Sequence, residues 1–412
     1  MKVLIVNTFD IQGGAARAAY RLHKAFLGQD VDSQMLVQDK VSDDFTVITG
    51  DTKLQRYFAK LRPILDTIPV RFYKNRTKTL FSPAYVPSLG LAEKINALNP
   101  DIVHLHWISG GLLRVEELQK IKAPIVWNLH DMWAFTGGCH YDEHCEGYKK
   151  SCGNCRVLKS DKANDLSKKV HNRKLKAYPG IKNLTVNGSS QWISQCAKES
   201  MLFKDKLVVN IPNCIDTHLF KQIDKNFVRD LFGIPKDKKV ILFGAMNSLG
   251  DPRKGAKELF EAINLLDVDN TVFVIAGSSQ PEQPLKLKYP VYFISPLHDE
   301  VSLPFMYNVA DVMIVPSLQE NLANSIVESL SCGVPVVAFD IGGNKDMIEH
   351  RENGYLAKMG DARDMAQGIE WVLANKEYDQ LVFRARDKVL STFKSSLVAK
   401  LYISLYQRIL KQ

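Results

Sequence analysis

Short runs of β-branched and aliphatic residues alternate with longer stretches in which apolar residues recur every three or four positions. Residues 3–7 predict a buried strand, Gly13 and Gly14 predict a tight turn, and residues 15–27 predict an amphipathic helix. Similar strand patterns occur at residues 102–105, 125–129, 184–187, 240–243, 272–276, 291–294, 312–316 and 335–339. Strands that alternate with helices form parallel sheets covered on both faces, so the pattern predicts an α/β fold.

The alternation is interrupted between residues 187 and 220, where loop-forming residues accumulate. This interruption predicts two doubly wound, Rossmann-like domains, at residues 1–200 and 205–390. Residues 391–412 predict a final helix with an apolar stripe at four-residue intervals, formed by Leu397, Leu401, Leu405 and Ile409. Because such a stripe must cover an apolar surface, we expect this helix to pack back on the N-terminal domain.

The composition is that of a folded globular protein. Of the 412 residues, 45% are hydrophobic and 24% are charged, which excludes extended disorder. No apolar run approaches the roughly 18–20 residues of a membrane-spanning helix, and the first residues resemble a strand more than a secretory signal. We therefore expect a cytoplasmic protein. The 54 Lys and Arg exceed the 45 Asp and Glu, which gives a formal net charge of +9.

Two segments are strongly basic. Residues 53–78 contain eight Lys and Arg, one acidic residue and several aromatic and aliphatic residues, and residues 149–182 contain eleven Lys and Arg and two Asp. A basic amphipathic stretch suits an anionic membrane surface, where each cation contributes about 1 kcal/mol. We therefore expect peripheral binding at the inner face of the cytoplasmic membrane. A stretch that only solvates its charges is the alternative, and nucleic acid is not an expected partner because no nucleic-acid module is recognised.

Two carboxylates flank a predicted strand–loop–helix junction. Glu320 follows the strand that ends near Pro316, and Glu328 lies one turn inside a helix that begins near Asn324. Ligands of open α/β sheets bind beyond the carboxyl ends of the strands, and a helix N-terminus suits a diphosphate. Glu328 can accept hydrogen bonds from a ribose hydroxyl pair, and Glu320 can face a sugar ring. Without further motifs, two such carboxylates more often only cap the helix and remain hydrated at its surface.

The string from residue 316 to 338 resembles the Glu-x7-Glu signature of the family 4 glycosyltransferases. The chain is most similar to bacterial exopolysaccharide enzymes of the colanic-acid type. Other motifs of that family follow in order along the chain: Gly13-Gly14, His130-Asp131, Ile211-Pro212-Asn213-Cys214-Ile215-Asp216, Gly342-Gly343 and Asn353-Gly354. Cys214 replaces a glycine of the family. The resemblance implies the GT-B fold, in which two Rossmann-like domains face a central cleft and a C-terminal helix crosses back.

The resemblance also implies site residues. His130, Lys254 and Glu320 are the expected catalytic residues, with Asp131 orienting His130. The expected donor-binding residues are Gly13, Gly14, Arg253, Lys254, Leu297, Asn321, Leu322, Ala323, Asn324, Ser325 and Glu328. The family commonly has an arginine where this chain has Ala245, and we expect Arg253 to supply the missing guanidinium. Cations at a helix N-terminus oppose the helix dipole, which favours anion binding by Arg253 and Lys254 over a solvated pair.

These residues imply a retaining hexosyltransferase. The donor is expected to be a UDP- or GDP-sugar, and the acceptor a lipid-linked or oligosaccharide chain. The resemblance is not to the other major glycosyltransferase fold, which has an Asp-x-Asp metal site, so no catalytic metal is expected. Two alternatives remain open: a sugar-nucleotide epimerase of the same fold, and a non-catalytic zinc-containing protein that binds polyanions, which the alanine at position 245 favours.

Four cysteines within seventeen residues predict a structural metal site. Cys139, Cys145, Cys152 and Cys155 have the spacing Cys-x5-Cys-x6-Cys-x2-Cys, and the final pair has the spacing of a zinc knuckle. Either His140 or His144 can replace one thiolate. Because four protein ligands leave no open position, the expected zinc is structural. Reduced thiols and a labile disulfide are the alternatives.

Overall fold

The structure, a computed structural model, describes residues 1–50, 53–244, 251–277, 287–297 and 299–411, with the backbone alone for residues 53–56. The chain forms two compact units. The first contains Met1–Cys214 together with Val398–Gln412, and the second contains Ile215–Leu397. The first unit therefore extends past residue 200 and includes most of the last helix.

The first unit is built on a parallel sheet. Its strands are β1 (Lys2–Phe9), β2 (Asp32–Asp39), β3 (Val47–Ile48), β4 (Ile102–Leu105), β5 (Ile125–Leu129), β6 (Leu184–Gly188) and β7 (Leu207–Asn210). Among the described residues the order is β3-β2-β1-β4-β5-β6-β7. Its helices are α1 (Gly14–Leu27), α2 (Lys53–Thr67), α3 (Leu91–Ala97), α4 (Leu166–Ala177) and α5 (Gln191–Glu199). Residues of β1 pair with β2 on one side and β4 on the other, so strand order reverses beside β1.

The second unit is also a parallel sheet between helices. Its strands are β8 (Lys239–Gly244), β9 (Thr271–Ala276), β10 (Val291–Ile294), β11 (Val312–Val315), β12 (Val336–Phe339) and β13 (Gly354–Ala357), and their order in the described ranges is β10-β9-β8-β11-β12-β13. Its helices are α6 (Lys225–Phe232), α7 (Ala256–Leu265), α8 (Leu303–Asn308), α9 (Asn324–Ser331), α10 (Asn344–Met347), α11 (Ala362–Leu373) and α12 (Tyr378–Thr392). The parallel α/β architecture predicted from the alternation is confirmed in both units.

The last helix, α13 (Ser395–Ile409), buries only part of the stripe that its leucines predict. Leu401 is 44% exposed, whereas Tyr402 and Tyr406 are buried against Phe26 of α1. Their hydroxyl groups hydrogen-bond to polar side chains beneath the helix. Leu405 and Ile409 of the predicted stripe are buried as expected, but the stripe is incomplete without the tyrosines, since tyrosine provides both a large apolar ring and a polar end.

Four strands carry no clear signal in the sequence. β2 and β7 mix polar and apolar residues, β3 has two residues, and β13 begins at the Asn-Gly turn. Of these, β2, β7 and β13 each pair with a predicted strand, and β3 pairs with β2. No helix in the described part of the chain is both long enough and apolar enough to cross a bilayer.

Candidate functional site

An ion pair joins two loops at the carboxyl ends of β8 and β11. Lys254 Nζ lies 2.6 Å from Glu320 Oε2, and the two side chains are 27% and 15% exposed. Glu320 lies between β11 and α9, and Lys254 ends a short 3-10 turn, Pro252–Lys254, before α7. The structure therefore brings two of the three predicted catalytic residues into direct contact.

The two loops touch through their backbones. Gly255 has a φ of +67°, and a Cβ atom there would lie 1.9 Å from the carbonyl oxygen of Pro316, so only glycine fits. Beside it, the Leu318 N–H donates to the Arg253 carbonyl at 2.8 Å. This contact holds the lysine-bearing turn against the glutamate-bearing loop.

Glu320 is a carboxylate at neutral pH. Burial alone would raise the pKa of its carboxyl group, but the charge and hydrogen bond of Lys254, with a contribution from Arg253, hold that pKa below its ordinary value. A carboxylate can accept hydrogen bonds from sugar hydroxyls, and an ammonium can bind phosphate oxygens. The pair thus has the two chemical groups that a sugar diphosphate requires.

Arg253 forms an ion pair within its own turn. Its Nη2 lies 2.7 Å from Asp251 Oδ2, and its backbone N–H donates to the same carboxylate, which caps the turn. Its charge still contributes to the lowered pKa of Glu320. Ala245, the position at which the family commonly has an arginine, lies outside the described residues.

Glu328 is buried on α9 and bonded to α8. Glu328 is 4% exposed, and the Tyr307 hydroxyl donates to Glu328 Oε2 at 2.5 Å. Tyr307 belongs to no motif, and only the packing of α8 on α9 shows it to be a partner of the predicted site. The tyrosine fixes one carboxylate oxygen of a residue that the family motif assigns to ribose.

The other residues predicted to bind the donor in this unit lie around the same loop. Asn321, Leu322 and Ala323 are buried in the loop, whereas Asn324 and Ser325 are half-buried and begin α9. The Asn321 carbonyl accepts a hydrogen bond from the Gly343 N–H at 2.9 Å, which brings the Gly-Gly motif to the glutamate loop. Leu297 is half-buried and packs against the core of the second unit.

His130 follows β5 in the first unit and lies in a network of histidine and asparagine side chains. Its Nε2 lies 2.8 Å from His106 Nδ1 and 3.3 Å from Asn128 Nδ2. Burial lowers the pKa of His130 to about 4, although the nearby Asp131 charge acts in the opposite direction. The His130 ring is therefore neutral at pH 7. Sequence reasoning missed His106 and Asn128. His106 directly follows β4, and Asn128 lies near the end of β5, two residues before His130.

Asp131 does not orient His130 by a hydrogen bond, so that expectation is wrong. Its carboxylate accepts from His140 Nδ1 at 2.6 Å and from Trp107 Nε1 at 3.0 Å. The other ring nitrogen of His140 lies 2.9 Å from the Ser82 hydroxyl. Both nitrogens of His140 are thus engaged, which makes this side chain a poor metal ligand.

Gly13 and Gly14 precede and begin α1. Gly13 has a φ of +93°, and no heavy atom of the described residues lies within 4 Å of the position that a Cβ would take. Glycine is needed at position 13 for its backbone conformation and not for a close contact. The space beside it is open to a ligand that approaches the backbone.

The four clustered cysteines are reduced and lie in the first unit between β5 and α4. Cys139 and Cys155 are buried, and Cys145 and Cys152 are half-buried. Burial raises the pKa of all four thiols, and neighbouring thiols add to this effect at Cys139, Cys152 and Cys155. The resulting pKa is about 12 for Cys152 and about 11 for Cys155. Among the residues that the structure describes, no group of three or more Cys, His, Asp or Glu side chains has the arrangement of a metal shell.

Comparison with known proteins agrees with this architecture. Residues 224–388 match the family model described as glycosyl transferases group 1. The chain is 26% identical over 345 residues to an uncharacterized glycosyltransferase of Methanocaldococcus jannaschii, which covers 76% of this chain and 86% of that protein. It is 25% identical over 210 residues to UDP-Gal:alpha-D-GlcNAc-diphosphoundecaprenol alpha-1,3-galactosyltransferase of Escherichia coli, which covers 48% of this chain and 53% of that enzyme.

Two solved structures are similar over nearly the whole chain. Sucrose-phosphate synthase from Thermosynechococcus elongatus has a TM-score of 0.71 at 17% identity and covers 99% of both chains. HepE of Anabaena, in complex with UDP and glucose, has a TM-score of 0.65 at 16% identity and covers 99% of this chain and 100% of that one. The fold is therefore that of the GT-B glycosyltransferases, as predicted. Within that class the match of residues 224–388 to the glycosyl transferases of group 1 supports the resemblance to family 4.

Proposed function

We propose that the protein is a retaining hexosyltransferase that uses a UDP- or GDP-sugar. Its acceptor is a lipid-linked or oligosaccharide chain of exopolysaccharide synthesis. The observation that carries this proposal is the pairing of Lys254 with Glu320 at the strand ends of the second unit. The lipid-linked acceptor and the UDP donor are also supported by the name of the galactosyltransferase relative.

In this proposal the ammonium of Lys254 stabilises the negative charge that develops on the departing diphosphate. The donor's own β-phosphate accepts the proton of the attacking hydroxyl on the same face of the sugar. Glu320 and His130 hold the sugar, and Glu328 accepts hydrogen bonds from the ribose hydroxyls. The protein then contributes positioning and charge, and no strong base is needed.

Two consecutive experiments test the proposal, one on donor binding and one on the anomeric configuration of the product. A panel of UDP-, GDP- and ADP-sugars is first screened by thermal shift, since a ligand at ~100 times its Kd stabilises by about 2.7 kcal/mol. The stabilising donor is then incubated with undecaprenyl-diphosphate sugar acceptors, and the anomeric configuration of the product is read by NMR. An inverted product, or an epimerised donor without transfer, contradicts the proposal.

We also propose that the end of α2 and the segment after it bind an anionic membrane. Several apolar side chains there are exposed: Tyr57, Ile64, Leu65, Ile68 and, at 83%, Phe72. The exposed cations beside them are Lys60, Arg71, Lys74, Arg76 and Lys78. The segment's one carboxylate, Asp66, is 1% exposed and accepts hydrogen bonds from backbone N–H groups, so it does not oppose lipid phosphates.

Vesicle sedimentation tests the membrane surface. Phe72→Ser is expected to weaken binding to vesicles that contain phosphatidylglycerol, and high salt is expected to weaken it as well. Phe383→Ser is the matched control, since Phe383 is 65% exposed on α12 of the other unit. Equal loss in both variants, or equal binding to neutral phosphatidylcholine vesicles, contradicts this surface.

We propose in addition that Cys139, Cys145, Cys152 and Cys155 hold a structural zinc ion after their side chains rotate towards a common point. Support comes from backbone N–H groups that donate to the sulfurs, namely those of Gly147 to Cys145, of Gly137 to Cys152, and of Val157 and Leu158 to Cys155. Such donors stabilise thiolates.

A buried cation provides further support for zinc. Lys174 is fully buried, its Nζ donates to the carbonyls of Trp133 and Thr136, and the sulfurs of Cys139 and Cys152 act on its charge. Burial lowers the pKa of Lys174 to about 7, whereas Cys139, Cys152 and the Asp131 carboxylate act to raise that pKa. Four thiolates and Zn²⁺ carry a net charge of −2, half of which a protonated Lys174 would balance.

Metal analysis tests the zinc site. Purified protein is expected to contain one zinc per chain, and Cys152→Ser is expected to lose it. Cys196→Ser is the control, because Cys196 is a buried free cysteine outside the cluster. The protein is also reconstituted with zinc under reducing conditions and treated with a thiol reagent. If it still contains no metal and all four thiols react, the proposal is contradicted.

A further inference from the structure

A chain of hydrogen bonds runs from a backbone amide to the ring of His130, and it begins at Ile211. The Ile211 N–H donates to Asn187 Oδ1 at 2.8 Å, and the Ile211 carbonyl accepts from Asn187 Nδ2 at 2.9 Å. A backbone N–H only donates and a carbonyl only accepts. The orientation of the Asn187 amide is therefore fixed from both sides.

Asn187 in turn fixes the amide of Asn128. Asn187 Nδ2 donates to Asn128 Oδ1 at 2.5 Å, and the hydroxyl of Tyr402 donates to the same oxygen at 3.2 Å. Both asparagines are buried, so water does not compete for these bonds. With its oxygen facing two donors, Asn128 presents its NH₂ group to His130.

The ring nitrogen of His130 that meets Asn128 must be an acceptor. Its Nε2 faces Asn128 Nδ2, which only donates, and lies 2.8 Å from His106 Nδ1. A proton on His130 Nε2 would point at the Asn128 amide hydrogens. It would also place the His106 proton on Nε2, which is buried and has no hydrogen-bond partner among the described residues. A buried donor without an acceptor is rarer than an acceptor without a donor.

We infer that Asn128, Asn187 and His106 are positioning residues that hold His130 in the tautomer with its proton on Nδ1. The neutral ring then carries its N–H donor on Nδ1, the nitrogen that does not face His106. The inference rests on the proposed function, in which this donor meets an oxygen of the transferred sugar. It adds three residues outside the family motif, and Ile211 within it, to the machinery that sets the chemistry of His130.

The tautomer is measured directly by long-range ¹H–¹⁵N NMR on protein labelled with ¹⁵N-histidine. At pH 7 the His130 ring, assigned by its loss in His130→Gln, is expected to show protonated Nδ1 and unprotonated Nε2. Asn128→Asp replaces the NH₂ donor by an acceptor, so His130 is expected to move its proton to Nε2. Transfer by this variant is expected to fall about 100-fold.

His106 variants and one control separate positioning from folding. His106→Leu removes the second donor to His130 and is expected to lose the Nδ1–H tautomer, whereas His106→Asn keeps an N–H donor and is expected to restore it. Tyr406→Phe is the control, because its hydroxyl lies on the same helix as Tyr402 but bonds to His104 at 2.7 Å. That variant is expected to keep the His130 tautomer and to transfer within about threefold of wild type.

Two results would overturn the inference: protonated Nε2 in the wild type, or the wild-type tautomer retained in both Asn128→Asp and His106→Leu. Failure of the proposed function looks different. If the wild-type spectrum shows Nδ1–H while His130→Ala transfers sugar at the normal rate, the tautomer assignment stands and the sugar contact of His130 is wrong.

Discussion

The ion pair between Lys254 and Glu320 makes opposite predictions for its two members. In the structure the Lys254 ammonium is neutralised by Glu320 at 2.6 Å. If Lys254 binds the donor diphosphate, that carboxylate competes with the ligand. Glu320→Gln is therefore expected to tighten the binding of free UDP, whereas Lys254→Met is expected to weaken it. Free UDP is the right probe because it has no sugar for residue 320 to contact.

The size of each effect follows from the burial of the pair. Exposed ion pairs are worth about 0.2–1 kcal/mol, and breaking a fully buried pair costs about 3–5 kcal/mol. With 27% and 15% of the two side chains exposed, the competing interaction is on the order of 1–2 kcal/mol. Removal of Glu320 should then tighten UDP binding by about 5- to 30-fold. Loss of the charged contact of Lys254, worth about 1.5–3 kcal/mol, should weaken it by about 10- to 150-fold.

Calorimetric titration at fixed ionic strength measures both affinities. Lys236→Met is the matched control, since Lys236 pairs with Asp230 at 2.5 Å on the surface of the same unit and should leave UDP affinity unchanged. Both site variants are expected to lose sugar transfer, although their UDP affinities move in opposite directions. Weakened UDP binding in both variants, or no change in either, would refute the idea that Glu320 competes with the diphosphate for Lys254.

Three further predictions concern stability and the donor. Gly255→Ala should destabilise the second unit by about 3 kcal/mol or more because its Cβ meets a carbonyl, whereas Gly233→Ala, with a similar φ and open space, should cost about 1 kcal/mol in denaturant unfolding. Burial lowers the pKa of His23 to about 4, so the unfolded state binds more protons than the folded state between pH 6.5 and 4. The free energy of unfolding should therefore fall by about 2 kcal/mol from pH 7 to 5. His23→Gln should lose this part of the pH dependence of stability. Tyr307→Phe removes a buried donor to Glu328 and should raise the donor KM about tenfold. Because it leaves a buried carboxylate oxygen without that donor, it should also lower stability by about 1–3 kcal/mol. An unchanged KM argues against the ribose role of Glu328.

The sequence by itself determined most of the strands and helices and the resemblance to a family. The alternation of strand and helix patterns predicted parallel sheets because buried strands and amphipathic helices have different periods, and each period is a local property of the chain. The Glu-x7-Glu string and the Lys254 segment pointed to a donor site for the same reason, since each motif is contiguous. Even so, Leu401 of the predicted α13 stripe is exposed, and Tyr402 and Tyr406 are buried instead. Periodicity alone does not show whether a tyrosine belongs to the buried face of a helix.

Only the tertiary structure decided which of these residues touch. The contact of Lys254 with Glu320 depends on the order of β8 and β11 in the sheet and on the glycine that lets two backbones meet. The chain from Ile211 to His130 joins side chains at the ends of β5 and β6 with a hydroxyl from α13, and those elements are far apart in the sequence. Hydrogen bonds between distant residues follow from strand order and close packing, which no local pattern records.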